Sequence, residues 1–299
     1  MVNSVKKIIC PVCGSEKVEP ILTANDYLVS NENFDILHCS NCTLRITSPK
    51  PNINELSKYY NSEEYISHKK EGQSFINKIY KIVQRMSLVK KRRLIEKYFG
   101  DEKGSLLDIG CGTGDFIKVM QKAGWQISGV EPDENARRIA KELSGIQIYS
   151  TEEHFYDTIK YDIITMWHSL EHIHDLNEQI SKIDELLNSD GMLYIAVPNY
   201  TSFDARYYKQ NWAAYDVPRH LYHFSPVAMQ KLFEKYEYSI IGYKQLPFDP
   251  FYISLLSELS VIKSKNIIRA FWIGLRSYLN GLINSKRSSS VLYIFKRKG

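Results

Sequence analysis

The chain has no long hydrophobic run. No stretch reaches the ~18–20 consecutive apolar residues that a bilayer-crossing helix needs, which excludes an integral helical membrane protein. A secretory leader is also missing. Met1 to Lys7 is polar and basic, and no apolar segment follows, so the expectation is a cytoplasmic protein. Net charge is small: 39 Lys and Arg stand against 34 Asp and Glu, giving +5. That balance permits an anionic partner without demanding one. Cysteine is scarce, with five copies, and a disulfide framework is not expected of a cytosolic chain. What remains is ordinary globular composition, 43% hydrophobic and 24% charged over 299 residues. Such a length buries one large core, or one core and a small satellite.

Four of the cysteines form two C-x-x-C pairs, Cys10/Cys13 and Cys39/Cys42. Each pair can wrap two thiolates onto one ion, and two pairs make a closed tetrahedral zinc site with no open position. The intervening 25 residues have room for a short β-hairpin. His38 adjoins Cys39, but four thiolates already suffice. A segment this small cannot build much core, so the metal is expected to supply its folding energy. The sequence therefore divides into a zinc module at 1–48, a helical, basic connector at 49–100 opened by Pro49-Lys50-Pro51, and a larger domain at 101–299.

The most specific segment is Leu106-Leu107-Asp108-Ile109-Gly110-Cys111-Gly112-Thr113-Gly114. It reads as a buried strand entering a G-x-G-x-G turn and then a helix. Glu131 follows at the end of a second strand, beside Pro132. Glycines let the backbone turn tightly and approach a ligand, and the distal carboxylate can accept both ribose hydroxyls of an adenosine group. The spacing is not that of a pyrophosphate-binding turn, and Asp108 before it suits a cationic ligand. Cys111 fits as a small residue lining the cleft. The segment resembles motif I of the class I S-adenosylmethionine-dependent methyltransferases, and Val130-Glu131-Pro132 resembles their acidic second motif. The resemblance covers about residues 86–246. It implies that Asp108, Gly110, Cys111, Gly112, Gly114, Glu131 and Pro132 hold S-adenosylmethionine, with Trp167 and His168 beyond the fourth strand.

Strands at 105–109, 126–130, 146–149, 161–166 and 191–197 alternate with helices at 114–123, 133–143 and 175–188, the signature of a parallel sheet covered on both faces. A helix at 226–236 leads to a strand at 238–246, and 290–296 closes the sheet. The expected fold is α/β: a Rossmann-like, seven-stranded methyltransferase sheet whose last two strands are antiparallel. Between those strands lie some 43 residues, long for a hairpin loop. Phe251, Leu255, Leu256 and Leu259, then Ile268, Phe271, Trp272, Leu275, Leu279 and Leu282, recur at helical spacing. They predict a helical insertion at 247–287. Packing of its apolar stripe on the domain or on a second copy in a homodimer is the favoured reading. The alternative is peripheral contact of 251–287 with the inner face of a membrane, since basic amphipathic helices with Trp can lie there.

Ligands of open parallel sheets bind at the carboxyl ends of strands. There the chain carries His168, Glu171, His172 and His174, and after the fifth strand Asp216, Arg219, His220 and His223. His220, His223 or His168 is the expected general base, and Arg219 is expected to hold an anionic group such as a phosphate. Glu171 and His172 open the next helix and shape the cleft, and Tyr59, Tyr60 and Tyr65 are expected to cap it. A zinc module ahead of this domain, with a His-bearing loop after the fifth strand, resembles the sugar C-methyltransferases. By motif alignment His220 takes the place of their base, although Arg219 stands where that family has an acidic residue and its large C-terminal domain is not expected here. A looser resemblance is to zinc-containing methyltransferases of surface-glycan and lipid pathways. No [DN]-P-P-[YFW] follows the fourth strand, which argues against exocyclic amine and glutamine targets.

The expected function is methyl transfer to a small or lipid-linked acceptor. Two alternatives stand. An RNA methyltransferase would use the zinc module and the basic segment 69–93, although nucleic acid is the less favoured partner because the basic residues are interleaved with acids. A non-catalytic cofactor-binding subunit would leave the surplus of candidate bases unused.

Overall fold

The computed structural model describes residues 8–60, 75–100, 102–155 and 159–298. Tyr65 and the first part of the basic segment lie outside them. The chain begins with a small antiparallel sheet, β1 (Val18–Asn25), β2 (Asn33–Cys39) and β3 (Arg45–Ser48). A 3-10 helix at Ile53–Tyr59 follows, and α1 spans Phe75–Phe99, both within the expected helical connector. Then strands and helices alternate: β4 (Ser105–Ile109), α2 (Asp115–Lys122), β5 (Gln126–Val130), α3 (Glu134–Ser144), β6 (Ile148–Tyr149), β7 (Tyr161–Trp167), α4 (Leu176–Leu186) and β8 (Leu187–Pro198). The last part holds α5 (Phe203–Tyr208), β9 (Tyr222–His223), α6 (Pro226–Glu234), β10 (Tyr238–Gln245), α7 (Asp249–Leu256), α8 (Ile267–Ile283) and β11 (Ser290–Arg297).

Helix starts follow their capping residues. Asp133 accepts from Ala136 N–H at 2.7 Å to open α3, Asp175 opens α4, and Ser225 accepts from Ala228 N–H ahead of a proline to open α6. The sequence places the end of a helix at 188 and the start of a strand at 191. In the structure Asn188 to Gly191 form an irregularity inside β8, where the pairing with β7 shifts between Tyr161 and Ile163.

The main sheet runs β10-β11-β8-β7-β4-β5-β6. Only the β10/β11 and β11/β8 pairs are antiparallel. This is the expected methyltransferase sheet, with the final strand inserted between its two predecessors at one edge. Leu193 to Val197 and Val291 to Phe295 are buried throughout, as central strands covered on both faces must be.

The small sheet is not a satellite. Its order is β1-β2-β3-β9, so its fourth strand comes from the loop after β8. Cys10, Cys39, Leu44 and Ile46 share one apolar cluster with Leu170, Leu221 and Phe224. The N-terminal segment and the loop that carries His220 therefore fold as one layer.

The insertion is helical as expected, but its packing departs from one half of the favoured reading, burial of the stripe on its own domain. The side of α8 that faces the protein carries Ala270, Gly274, Ser277 and Gly281, one small residue per turn. A Cβ on Gly274 would lie 2.9 Å from Phe251 Cα and 3.1 Å from Pro250 O, so α7 and α8 touch backbone to backbone. The large apolar residues point outward: Ile268, Phe271, Trp272, Leu279, Leu282 and Ile283 are all more than half or nearly half exposed. The stripe does not pack on its own domain.

Candidate active site

β4 ends at Ile109 and the chain turns through three glycines, all at positive φ. At Gly110 (φ 75°) a Cβ would sit 2.6 Å from Ser169 Cβ, because the loop after β7 presses on the turn. Gly112 (φ 55°) has nothing within 4 Å of such a Cβ, so its backbone borders open space. Gly114 packs against Ala140 of α3. Glu131 anchors the turn: one carboxylate oxygen accepts from Gly112 N–H at 2.8 Å and the other from Asp133 N–H at 3.0 Å. Pro132 is exposed beside it. Cys111 is buried with Ile117, Ala140 and Ile148, so its sulfur packs inward instead of lining the cleft.

Asp108 is 2% exposed and accepts from Thr165 Oγ1 at 2.6 Å. Burial pushes its carboxyl up to about 6, against the pull of Thr165 and Lys91. A buried carboxylate at the carboxyl end of a central strand suits a cationic group. This and the open space at Gly112 fit S-adenosylmethionine. Sequence reasoning missed one further group, Lys91 of α1, whose ammonium lies 4.2 Å from the Trp167 ring centre and is pulled down by burial. In sequence it was one of a run of basic residues. Trp167 ends β7, stacks edge-on with Phe116 at 5.4 Å, and leaves its indole N–H buried without a hydrogen-bond partner.

Beyond β7 lies a cluster of imidazoles and carboxylates. His168 holds φ 57°, an unfavourable value for a non-glycine residue, and its ring bridges two acids. Nε2 is 3.0 Å from Asp249 of α7 and Nδ1 is 3.5 Å from Glu171. Burial opposes the ring's charge, but the two carboxylates outweigh it and push His168 up to about 9. The two carboxylates thus favour its charged form at neutral pH. Asp249, in the insertion, was not singled out from sequence because its partner lies 81 residues away.

Glu171 and His172 sit on a 3-10 turn before α4, not on that helix. Glu171 is 1% exposed and neither of its oxygens takes part in a hydrogen bond. Burial works against its charge, yet His168 and the other imidazoles hold the carboxyl below its usual range. His172 stacks edge-on with His220, ring centres 4.6 Å apart. Burial and then His220 depress His172 to about 4, so it is neutral. His220 has Nδ1 2.9 Å from Ala214 O, and its Nε2 lies 4.0 Å from Glu171 and 3.9 Å from Asp216.

Two expected site residues are placed elsewhere. Arg219 is 2% exposed and four of its five N–H donors are engaged within the fold: to Asp216 at 2.7 and 3.0 Å, to Asp26 at 2.9 Å, and to the Tyr59 carbonyl at 2.9 Å. Buried and tied to these partners, it acts as a strut. His223, on β9, is buried against Thr47 Oγ1 at 3.0 Å, and burial drives its ring well below its ordinary value. It lies on the small sheet with Thr47 at its Nε2, and His220 and Asp216 are close enough to bias its charge. Of the tyrosines, Tyr59 is buried on Phe34, whereas Tyr60 reaches His172 Nδ1 at 3.2 Å and does border the cluster.

The four cysteines converge. Cys10 and Cys42 sulfurs are 3.4 Å apart, Cys13 and Cys39 sulfurs 3.5 Å, and all four lie within 4.8 Å of one another. Four sulfurs at about 2.3 Å from a tetrahedral zinc would be about 3.8 Å apart, so the donor set fits that ion.

Fold and site together define a class: a Rossmann-like methyltransferase of the S-adenosylmethionine-dependent kind. The chain belongs to the methyltransferase-domain family, whose model matches residues 80–242. An uncharacterised methyltransferase of Alkaliphilus oremlandii is 31% identical over 115 residues, 36% of this chain and 51% of that one. A ubiquinone biosynthesis O-methyltransferase of Actinobacillus pleuropneumoniae is 34% identical over 109 residues, 32% of this chain and 46% of that one. The matched region thus spans about half the length of these curated relatives. Among solved structures, magnesium protoporphyrin IX methyltransferase from Synechocystis, with bound S-adenosylhomocysteine, superposes with a TM-score of 0.54 at 13% identity, covering 83% of this chain and all of that one. That likeness shows the fold.

Proposed function

We propose that the chain transfers the methyl group of S-adenosylmethionine to a small or lipid-linked acceptor in glycan or lipid biosynthesis, as the sugar C-methyltransferase resemblance first suggested. The carrying observation is the pairing of buried Glu171 with His220, beside a glycine turn fitted to the donor. S-adenosylmethionine supplies the electrophilic methyl group when bound. Asp108 would meet its cationic end, Glu131 and the Gly112 backbone would hold its ribose, and Trp167 would wall the cleft. His220 takes the acceptor's proton at Nε2. Its Nδ1–H is fixed on the Ala214 carbonyl, and Glu171 stabilises the imidazolium that forms. Positioning the acceptor supplies most of the remaining rate enhancement.

The lipid-linked reading draws on the outward apolar face of α8. The preceding helix of that insertion delivers Asp249 to His168, so a membrane-bound insertion would hold the acceptor cleft near the lipid headgroups. No helix among the described residues is long and apolar enough to cross a membrane, which leaves peripheral contact. The resemblance to an O-methyltransferase of ubiquinone biosynthesis supports an acceptor oxygen. The RNA reading gains no support. Lys90 and Lys91 lie over Phe248 and Trp167, and Arg92 is spaced to pair with Glu96.

The test incubates methyl-labelled S-adenosylmethionine with the protein and an extract of its source cells, then separates lipid, glycan and RNA. Label in lipid or glycan is the expected result. Ribonuclease-sensitive label would overturn the reading.

A further inference from the structure

Glu171, His172 and His220 each offer one donor atom, and the three atoms lie within 4.8 Å of one another. Two features distinguish this trio from a chance cluster of polar groups. The first is the orphaned carboxylate: Glu171 is 1% exposed, and neither oxygen has a hydrogen-bond partner. A buried carboxylate without hydrogen bonds is costly unless something cationic meets it. His168 supplies part of that charge at 3.5 Å on one oxygen.

The second feature is the state of the two imidazoles. His172 Nδ1 is 3.0 Å from the Arg219 carbonyl, and His220 Nδ1 is 2.9 Å from the Ala214 carbonyl. A carbonyl can only accept, so each Nδ1 carries the proton, with the Tyr60 hydroxyl at 3.2 Å a second acceptor for His172, and each Nε2 presents a lone pair. A histidine whose second nitrogen donates to a backbone carbonyl is the usual arrangement of a metal-bound imidazole, because that bond fixes the tautomer and the ring plane. Here it occurs twice around one carboxylate. Both carbonyls are held from outside the trio, Arg219 by its buried ion pairs and Ala214 by the 3-10 turn before Asp216.

We infer that Glu171, His172 and His220 bind a divalent cation of the zinc, manganese or iron(II) class through one carboxylate oxygen and two Nε2 atoms. Two neutral nitrogens and one carboxylate suit those ions better than magnesium or calcium. Unlike the four-cysteine set, three protein ligands leave coordination positions open, and an oxygen of the acceptor is the natural occupant. The inference rests on the reading of this cleft as the acceptor site. It also gives His220 Nε2 a second use: with an ion bound, that lone pair is engaged and the acceptor's proton goes to solvent instead.

The test uses the full-length protein carrying one zinc per chain, the amount the four cysteines take, and titrates it with Mn2+, which thiolate sites do not favour, following the free ion by electron paramagnetic resonance. Wild type is expected to take up one Mn2+ per chain, competed by added Zn2+. His172→Ala and Glu171→Gln are each expected to weaken that uptake at least ~10-fold. S-adenosylhomocysteine binding and the content of cysteine-bound zinc, measured on the same samples, confirm that each variant is folded. No Mn2+ uptake by wild type, or uptake unchanged in both variants, would overturn the inference. Failure of the methyl-transfer reading shows separately, as absent S-adenosylhomocysteine binding in wild type whatever the metal result.

Discussion

Arg219 donates to Asp26 at 2.9 Å across the boundary between the small N-terminal sheet and the loop that carries His220, and both side chains are buried. Asp26 closes the β1–β2 turn, where it also accepts from the Leu28 and Ser30 backbone N–H groups. Asp216 takes the other side of the guanidinium and is held below its usual range, burial being outweighed by Arg219. Arg219→Lys keeps the charge and loses the fork. Leaving buried carboxylates short of a partner is expected to cost about 3 kcal/mol of stability. Denaturant unfolding checks this. Were Arg219 a substrate-anion ligand instead, the variant would keep its stability and show only a raised KM.

The same layer couples the cysteine cluster to the loop that carries His220. β3 pairs with β9 through Arg45–His223 and Ile46–Tyr222, and Thr47 Oγ1 donates to the His220 carbonyl at 2.6 Å. Cys10→Ser with Cys42→Ser should release the metal and loosen β3. Methyl transfer is then expected to fall while S-adenosylhomocysteine binding persists, because the glycine turn is built on β4 and β5. Metal analysis and calorimetry on the double variant measure both. Loss of cofactor binding together with the metal would refute this division of labour.

Those contacts also show what the sequence could and could not disclose. The strand–glycine–helix segment and Glu131 were legible because their signal is local: spacing and backbone permissiveness act within some two dozen residues. The cysteine pairs were legible for the same reason. Arg219 was misread because a guanidinium beside an Asp and two His looks like a binding group until Asp26, 193 residues away, is seen to occupy it. Asp249 was missed on similar grounds. Helical periodicity located α8 correctly but could not say which side faces inward. There the small residues, normally uninformative, form the packed side.

His168 ties Glu171 and Asp249 together, and its raised pKa carries a pH signature. The folded ring titrates near 9 against an unfolded value of 6.5. Stability from its charge is therefore fully present below 6.5 and is lost as pH rises toward and through 9. Thermal unfolding should show a midpoint that declines between pH 7 and 9.5. In His168→Gln the midpoint should be lower at pH 7 and nearly flat over that range. A wild-type midpoint that does not change between those pH values would contradict the ion pairs.

Asp108 gives the opposite direction. Its carboxyl titrates near 6 in the free protein because burial raises it, so it is ionised at neutral pH and protonated at pH 5. If the carboxylate is what meets the cationic end of the donor, affinity for S-adenosylmethionine should fall as pH drops through 6. Asp108→Asn keeps the shape and an acceptor for Thr165, and should bind roughly 10- to 100-fold more weakly at pH 7, the range for a lost charge-assisted hydrogen bond. Calorimetry from pH 5 to 8 on both proteins is the measurement. A pH profile that survives unchanged in the Asn variant would assign the titration to another group.

The outward face of α8 invites the most direct assay. Ile268, Phe271 and Trp272 are 73%, 52% and 60% exposed, so replacing all three by Ser removes little packing from the fold. Exposed substitutions of this kind leave stability within about 0.5 kcal/mol each. Their contribution to a lipid surface is larger, up to about 1.5–3 kcal/mol per fully buried side chain, so partial burial of three should change vesicle affinity by roughly 100-fold or more. Lys263, Lys265 and Arg287 flank the helix and should add a preference for anionic over zwitterionic vesicles, weakened by salt. Sedimentation with phosphatidylglycerol and phosphatidylcholine vesicles, at low and high salt, measures each part. The expected result is wild type bound to anionic vesicles and the triple variant in the supernatant. If a second copy of the chain covers this face instead, neither protein will sediment with lipid. Wild type will then elute as a dimer that the triple substitution converts to monomer.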